Sequence, residues 1–374
     1  MKTILLISPY WKEPHRWMVS SVKLAELWQR IGYKVIVVSM GSISSPMTKL
    51  RENLFLTTRK DVFLKDPWNY GISFGFAGFV AKIAKQEKPD IIVVNKLLFW
   101  SSLASISLRM RGYTVLQITD ALVGMTWWPR SRIPKICAAI YAWTLGWLLL
   151  RIAHKVVFFH PQPESLLCRL GIAKKSLVIP TGIDPGPFSD AEKIRSREEQ
   201  INVTYVGRLE SVKGVDDFLF AAIPLKKDCP QLHIQVAGWV KPNHPLLSLY
   251  QHDVSFLGLS DDVAGLLAKT HIFVLPSYSE GLSNALMEAM ASGCACIATR
   301  VGGNTFLIEE GISGLLFSPG DRDLLQTHLR RLLRNSAERE ALGRAARKRI
   351  EDRFSWDTVG SEYATLFADD GRTQ

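Results

Sequence analysis

The sequence has little cysteine, few acidic residues in its first half and no long apolar run. Its five cysteines form no C-x-x-C pair, so we expect a reducing compartment and neither a disulfide framework nor a cysteine-based zinc site. The longest uncharged run has 15 residues, fewer than the roughly 20 that span a bilayer. No period of about 20–50 residues recurs, which argues against a solenoid or a propeller. A chain of 374 residues that is 47% hydrophobic is too apolar to be disordered and long enough for two domains.

The charge is distributed unevenly along the chain. Residues 1–180 hold 25 Lys and Arg against 9 Asp and Glu, a net charge of +16, whereas the remainder has a net charge of −5. Nine of the eleven tryptophans also lie in the first half. Basic residues mixed with tryptophan are typical of a surface that meets a membrane interface. The alternatives are tryptophans that fill a core beneath a solvated basic face, and a nucleic-acid surface. We expect an anionic membrane surface as a partner and no nucleic acid.

An uncharged run of this length, residues 136–150, carries two of these tryptophans. If it is helical, five large apolar residues form one stripe, and basic residues flank the run on both sides. The stripe consists of Ile136, Ile140, Trp143, Trp147 and Leu150. Either the helix lies in a membrane interface or it is a buried helix of an α/β layer, and both interpretations remain open.

Short apolar runs alternate with helical patterns along the whole chain, which predicts parallel strands in doubly wound sheets. The first run ends at Ser8-Pro9 without a cleavage pattern, so we interpret it as a strand and not as a signal peptide. Residues 184–200 are polar and are interpreted as a linker. The predicted strands are 3–7, 34–39, 91–95, 114–119 and 155–159 before the linker, and 202–206, 231–237, 271–275 and 296–299 after it.

Two segments of the second half carry charged residues at the ends of predicted strands. In residues 206–214, VGRLESVKG, a strand ends at Gly207, and Arg208 and Lys213 follow in a loop. A planar guanidinium and a point ammonium charge together suit a diphosphate. In residues 275–288 a buried strand leads into a polar turn, and a helix is expected to start near Leu282. The free amides of a helix start form an anion site.

Two acids accompany this helix start. Glu280 lies in the turn, and Glu288 would lie on the helix, roughly 10 Å from the helix start. Taken alone, either could be an ordinary dipole-facing or solvated glutamate. A third segment, from residue 299 to 321, is rich in glycine, and most of its glycines are expected to be structural.

These segments, in this order, resemble the retaining glycosyltransferases of the GT-B fold, most closely the large family 4 of nucleotide-sugar transferases. The resemblance covers residues 179–321, through IPTGID, VGRLESVKG, FLG, PSYSEGLSNALMEAMASGCACIA, VGG and GLLFSPGD. The closing FSWDTVGSEYATLF is similar to the family's C-terminal helix, which crosses back to the first domain. The resemblance implies an α/β fold with two Rossmann-like, doubly wound domains facing a cleft. Residues 1–180 with a crossing helix at about 355–374 would bind acceptor and membrane, and residues 181–354 would bind the nucleotide-sugar.

The resemblance also implies residue roles. Arg208 and Lys213 would bind the donor diphosphate and stabilise the charge that develops on the leaving nucleotide. Glu288 would bind the ribose hydroxyls, and Glu280 would face the transferred sugar. No metal and no cofactor are expected. The remaining donor contacts would come from Gly207, Gly281, Leu282, Ser283 and Asn284.

The first half departs from the family pattern after its first strand. Members often carry a Gly-Gly turn there, whereas residues 9–17, PYWKEPHRW, contain no glycine. We expect Lys12, His15 and Arg16 to line the acceptor side, where they could meet an acceptor phosphate. The alternative is an ordinary surface loop.

Two further positions differ. Many members carry a His-Asp pair after a mid-domain strand; here Thr119 replaces the histidine and Asp120 keeps the acid, which could touch the sugar or the acceptor hydroxyl. Phe306 stands where a glutamate usually follows the Val-Gly-Gly.

Together these observations predict a retaining, metal-independent hexosyltransferase, peripheral on the cytoplasmic face of the cell membrane. It would move a sugar from a UDP- or GDP-sugar to a lipid-linked or cell-surface glycan acceptor, as in polysaccharide, lipopolysaccharide or glycolipid biosynthesis. One alternative is a soluble transferase acting on a small phosphorylated acceptor, and another is a non-catalytic nucleotide-binding scaffold.

Overall fold

The computed structural model describes residues 1–12, 18–65, 70–126, 128, 132–195, 198–240 and 244–370. The chain divides into two compact units, one formed by Met1–Gly182 with Trp356–Gln374 and the other by Ile183–Ser355. Each unit is built around one sheet of mainly parallel strands with helices on its faces, so the predicted α/β class with doubly wound sheets is confirmed.

The first unit contains an eight-stranded sheet with the order β10-β9-β8-β7-β1-β2-β4-β3, in which only β3 runs antiparallel to its neighbour. The central strands are continuous runs of Val, Ile and Leu, because helices cover both of their faces. The strands are β1 Thr3–Ser8, β2 Lys34–Gly41, β3 Ser45–Arg51, β4 Leu54–Lys60, β7 Ile91–Asn95, β8 Val115–Thr119, β9 Lys155–Phe158 and β10 Ser176–Val178, with a separate hairpin of β5 Val62–Leu64 and β6 Tyr70–Ile72. The helices are α1 Val19–Arg30, α2 Phe76–Glu87, α3 Ala104–Met110, α4 Arg132–Tyr141, α5 Trp147–Ile152 and α6 Glu164–Leu170.

A C-terminal helix, Trp356–Asp370, completes the first unit. It packs on α1 through aromatic side chains: the ring of Trp28 lies 5.5 Å from both Tyr363 and Phe367. Because Trp28 and Trp11 are buried, part of the tryptophan excess in the first half fills the core. The interfacial interpretation is therefore wrong for these two residues.

The second unit contains a six-stranded parallel sheet with the order β13-β12-β11-β14-β15-β16. Its strands are β11 Ile201–Val206, β12 Leu232–Ala237, β13 Val254–Gly258, β14 Ile272–Leu275, β15 Ala295–Thr299 and β16 Leu315–Phe317. Its helices are α7 Ala191–Arg195, α8 Val215–Ala222, α9 Pro245–Leu249, α10 Val263–Lys269, α11 Asn284–Ala291, α12 Asn304–Leu307, α13 Arg322–Arg334 and α14 Ser336–Arg353.

The polar segment 184–200 is not a simple linker. Phe188 is buried in the core of the second unit, and α7 follows it. The guanidinium of Arg195 donates to the carbonyls of Ser292 at 2.6 Å and Gly293 at 2.7 Å, just beyond the C-terminus of α11. A cation at a helix C-terminus satisfies carbonyls that lack intrahelical partners. The prediction of a linker was wrong because these contacts are distant in the sequence.

Candidate functional site

In the second unit the chain order reverses between two neighbouring strands. Strands β11, β12 and β13 extend to one side, and β14, β15 and β16 extend to the other, so β11 and β14 flank the switch point. Ligands of open α/β sheets bind beyond the carboxyl ends of strands at this position. The loops after β11 and β14 are the two charged segments singled out from the sequence, and both leave the sheet at this edge.

The two loops are tied to each other by their backbones. The amide of Tyr278 donates to the carbonyl of Val212 at 2.8 Å. Gly214 has φ of +67°, and a Cβ placed on it would lie only 2.0 Å from the carbonyl oxygen of Pro276. A glycine is therefore required where the first loop crosses the start of the second.

Lys213 and Glu280 meet at this crossing. The Lys213 ammonium lies 2.7 Å from Oε1 of Glu280, and the hydroxyl of Ser277 donates to the same oxygen at 2.7 Å. The Glu280 side chain is 9% exposed and that of Lys213 is 19% exposed. A lysine ammonium has three N–H donors, so Glu280 orients it while two donors are left for ligand oxygens. The structure thus brings together two residues that the sequence predicted for one site.

The glycines after β15 support the turn that carries Glu280. Added Cβ atoms would lie 2.0 Å from the Glu280 carbonyl oxygen at Gly302 and 2.6 Å from the Gly281 carbonyl oxygen at Gly303. The Gly303 amide also donates to the Gly281 carbonyl at 3.0 Å. The expectation that these glycines are structural is confirmed. Their close packing fixes the position of the turn that carries Glu280.

Arg208 stands at the mouth of the first loop. Its guanidinium lies 3.3 Å from Glu210, and the Arg208 side chain is 58% exposed. The loop beneath it is fixed by Tyr205, whose hydroxyl donates to the Arg208 carbonyl at 2.9 Å and would be 2.6 Å from a Cβ on Gly207. Burial raises the pKa of Tyr205, so its hydroxyl keeps the proton that it donates. Sequence reasoning missed Tyr205 because nothing distinguishes it from an ordinary strand residue.

The helix α11 begins at Asn284 and not near Leu282. Ser283 is its N-cap, and the Ser283 hydroxyl accepts from the Leu286 amide at 3.3 Å. Glu288 is therefore only about 6 Å from the helix start along the axis, and its side chain is half-buried. The predicted distance of roughly 10 Å was too long because Leu282 and Ser283 still belong to the turn.

In the first unit, Asp120 follows β8 and pairs with a lysine that follows the neighbouring strand β7. Lys96 Nζ lies 2.7 Å from Asp120 Oδ2. Lys96 has φ of +73°, a conformation that a residue with a side chain adopts only when its surroundings enforce it. The same ammonium lies over the ring of Phe159 at 5.6 Å. Sequence reasoning missed Lys96, because its contact with Asp120 depends on β7 and β8 being neighbours in the sheet.

Thr119 and His160 lie close to the Lys96–Asp120 pair. The Thr119 hydroxyl is buried and donates to the carbonyl of Ala121 at 2.9 Å, so it only closes the turn after β8. A histidine does stand near Asp120, but it follows β9: His160 is buried, and one ring nitrogen lies 3.1 Å from the Pro161 carbonyl. Burial lowers the pKa of His160, which keeps the imidazole neutral at neutral pH.

Replacing Lys96 by methionine should raise the pKa of Asp120. Burial alone would raise that pKa, but the Lys96 ammonium outweighs it and holds the pKa below its usual value. In the wild type the ionised carboxylate therefore stabilises the fold above its unfolded pKa, and this contribution is lost as the pH falls through the folded pKa. In the variant this contribution of the ionised carboxylate to stability becomes smaller. A carboxyl ¹³C NMR titration measures the change.

The control for this prediction is Lys88→Met. Lys88 also has a positive φ, of +45°, but it precedes β7 and so lies at the opposite edge of the sheet from Lys96. An Asp120 titration that is unchanged in Lys96→Met, or shifted equally in Lys88→Met, would contradict the pairing.

Of the predicted acceptor-side residues, Lys12 is paired with Glu26 at 3.8 Å. His15 and Arg16 lie outside the described residues. Within the described part of the chain, no group of three or more His, Cys, Asp and Glu side chains is placed to hold a metal ion.

Two family models match the chain. The model described as "Glycosyl transferases group 1" matches residues 200–335, and the model described as "Glycosyltransferase Family 4" matches residues 19–186. Between them they cover both charged loops of the second unit and the Lys96–Asp120 pair of the first.

Curated relatives are similar over part of their length. The MMP alpha-(1->4)-mannosyltransferase of Mycolicibacterium hassiacum is 30% identical over 218 residues, 54% of this chain and 51% of that protein. The N-acetyl-alpha-D-glucosaminyl L-malate synthase of Bacillus anthracis is 36% identical over 191 residues, 49% of this chain and 47% of that protein. The chain thus spans about half the length of these relatives.

Solved structures share the fold over the whole chain. Sucrose-phosphate synthase from Thermosynechococcus elongatus has a TM-score of 0.78 at 21% identity and covers 99% of both chains. Anabaena Alr3699/HepE in complex with UDP has a TM-score of 0.74 at 17% identity, over 99% of this chain and 100% of that one.

Proposed function

Because this chain belongs to the group 1 glycosyltransferases with the GT-B fold, we propose that it is a retaining hexosyltransferase that uses a UDP- or GDP-sugar without a metal or cofactor. The acceptor is a lipid-linked or cell-surface glycan, met at the cytoplasmic face of the membrane. The observation that carries the proposal is the Lys213–Glu280–Ser277 cluster at the switch point of the second unit.

The second unit supplies the donor chemistry. Lys213, held by Glu280, places two N–H donors where a diphosphate oxygen can accept, and the exposed guanidinium of Arg208 adds a second cation. As the bond from the anomeric carbon to the diphosphate breaks, negative charge grows on the leaving phosphate oxygen, and fixed cations stabilise it. The start of α11 adds backbone amides, and Glu288 binds the ribose hydroxyls.

The first unit receives the acceptor. Asp120 accepts a hydrogen bond from a hydroxyl of the sugar or the acceptor, and Lys96 keeps this carboxylate ionised and in place. The net charge of +16 over residues 1–180 favours an anionic acceptor and an anionic lipid surface.

Donor binding is tested by thermal unfolding against UDP-, GDP- and ADP-sugars. A donor at 100 times its Kd should stabilise the protein by about 2.7 kcal/mol, and UDP-sugars come first because the HepE structure holds UDP. Glu288→Ala should remove most of the stabilisation. The anomeric configuration of the product, read by NMR, tests retention, and transfer in the presence of EDTA tests metal independence. No stabilisation by any donor together with no transfer would overturn the proposal.

A second candidate is a soluble transferase with a small acceptor. It is favoured by the names of the similar proteins, which include an N-acetyl-alpha-D-glucosaminyl L-malate synthase and a D-inositol 3-phosphate glycosyltransferase. Transfer to a small phosphorylated acceptor by a protein that stays in solution with anionic vesicles would select this candidate.

A further inference from the structure

An exposed apolar face on the first unit is not used by the donor or acceptor chemistry. It belongs to the continuous helix Arg132–Ile152, in which the π-helical segment Ala142–Gly146 joins α4 to α5. By length and composition this helix is long and apolar enough to span a membrane. Only 33% of its most apolar 18-residue stretch is buried. It is therefore not a fully buried core helix, and one of the two interpretations drawn from the sequence is wrong.

One side of the helix is fixed to the unit. Ala138, Ala142 and Leu149 are buried, and Leu149 packs in a cluster with β9. The hydroxyl of Tyr141 donates to the Leu97 carbonyl at 3.0 Å. Leu150, which the sequence assigned to the apolar stripe, lies on this buried side. The helix therefore cannot leave the unit without opening its core.

The other side is exposed and largely apolar. Ile136 and Ile140 are each 60% exposed, in a region where an ordinary soluble surface would carry charge. We call this surface the apolar face. It is formed by Ile133, Ile136, Ile140, Trp143, Trp147 and Leu148.

Arginine side chains lie over the two tryptophans of the apolar face. The Arg169 guanidinium of α6 lies 4.5 Å from the Trp143 ring centre, and that of Arg151 lies 5.6 Å from the Trp147 ring centre. Arginine over an indole places a charge at headgroup level while the ring enters the acyl boundary. Residues 121–163 contain five Lys and Arg and no Asp or Glu. The chain segment that carries the apolar face is therefore basic as well as apolar.

We propose that the apolar face docks on an anionic bilayer, with the helix lying in the plane of the interface. The inference rests on the proposed membrane association and names the surface that makes it. Apolar side chains then enter the acyl boundary while the basic side chains meet lipid phosphates. A second copy of the chain fits less well, because a two-fold contact through this face would bring like charges together.

The test is flotation of the full chain with vesicles of phosphatidylcholine containing about one third phosphatidylglycerol. The wild type should float with them and not with pure phosphatidylcholine. Replacing both Ile136 and Ile140 by serine should lower the partition coefficient about tenfold, since two exposed apolar side chains are lost without a change of charge. Ile43→Ser is the matched control. Ile43 is 69% exposed and follows β2, whereas the helix Arg132–Ile152 connects β8 to β9.

A second readout reports position. Cys137 is an exposed residue of α4, so an environment-sensitive fluorophore on it, with Cys168 and Cys229 replaced by serine, should shift to the blue on anionic vesicles. The same label on Ile43→Cys, with Cys137 also replaced, should not shift. Unchanged thermal unfolding of the serine variants shows that they are folded.

The outcomes distinguish the membrane association from the assignment of the apolar face as the docking surface. If the wild type does not float, the membrane association and the docking surface both fall. If the wild type and the Ile136/Ile140 variant float equally, only the surface assignment falls. Resistance to carbonate extraction would overturn the in-plane orientation in favour of a spanning helix. A dimer in light scattering that the double variant dissociates would assign the face to a second copy.

Discussion

Replacing Lys213 by methionine should reduce kcat for sugar transfer by about three orders of magnitude. Methionine keeps most of the length and the apolar stem but removes the charge that faces the leaving diphosphate. Removing one preorganised group that stabilises transition-state charge costs about 10²–10³ in kcat. A second effect adds to it, because Glu280 is 9% exposed and would lose the cation 2.7 Å away.

The measurement is steady-state transfer with the donor that thermal unfolding identifies. Lys348→Met is the control, since Lys348 is an exposed lysine that pairs with Asp352 on the surface of α14. We expect its kcat to equal that of the wild type. Glu280→Gln should also lower kcat, because an amide cannot orient the ammonium as strongly. If Lys213→Met kept more than about a tenth of the wild-type kcat, the assignment of the donor site would be wrong.

Sequence reasoning found most of the strands that are buried on both faces. β1, β7 and β14 consist of apolar residues almost without interruption, since helices cover each side. β3 was missed because it is an exposed edge strand, SPMTKLR, whose pattern resembles a loop. The hydrophobic pattern of a strand reflects its burial, so a strand that is largely exposed shows little hydrophobic pattern.

The donor loops were predicted from motif order, whereas the partners of Asp120 were not. Lys213 and Glu280 lie in two of the motifs that carry the resemblance to the family, VGRLESVKG and PSYSEGLSNALMEAMASGCACIA. Lys96 reaches Asp120 only because β7 and β8 are neighbours in the sheet, and its positive φ is carried by a lysine, without the glycine that usually marks such a conformation. A single sequence contains no local signal for a contact of this kind.

The face of the helix Arg132–Ile152 could not be predicted for a different reason. The run is apolar on all sides, so periodicity does not distinguish a buried side from an exposed one. The π-helical segment also changes the register, which moved Leu150 from the predicted stripe to the buried side.

Replacing Gly214 by alanine should destabilise the second unit and separate Lys213 from Glu280. The positive φ alone costs about 1–2 kcal/mol for a residue with a Cβ. The added Cβ would also lie 2.0 Å from the Pro276 carbonyl oxygen, so the two loops must move apart. We expect a total of about 2–4 kcal/mol in the free energy of unfolding. A displacement of about 1 Å at the site can cost 10²-fold in rate, so kcat/KM should fall by about that factor.

Gly258→Ala isolates the conformational part of this effect. Gly258 has a similar φ of +65°, but a Cβ there would meet no atom within 4 Å. Urea unfolding of both variants should therefore show a smaller loss for Gly258→Ala, of about 1–2 kcal/mol, and its transfer rate should be unchanged. Equal losses of stability in the two variants would mean that the Gly214 loop accommodates the added Cβ without a further loss of stability. The crossing of the two loops would then not hold Lys213 in place, and the ammonium would have to be positioned by Glu280 alone.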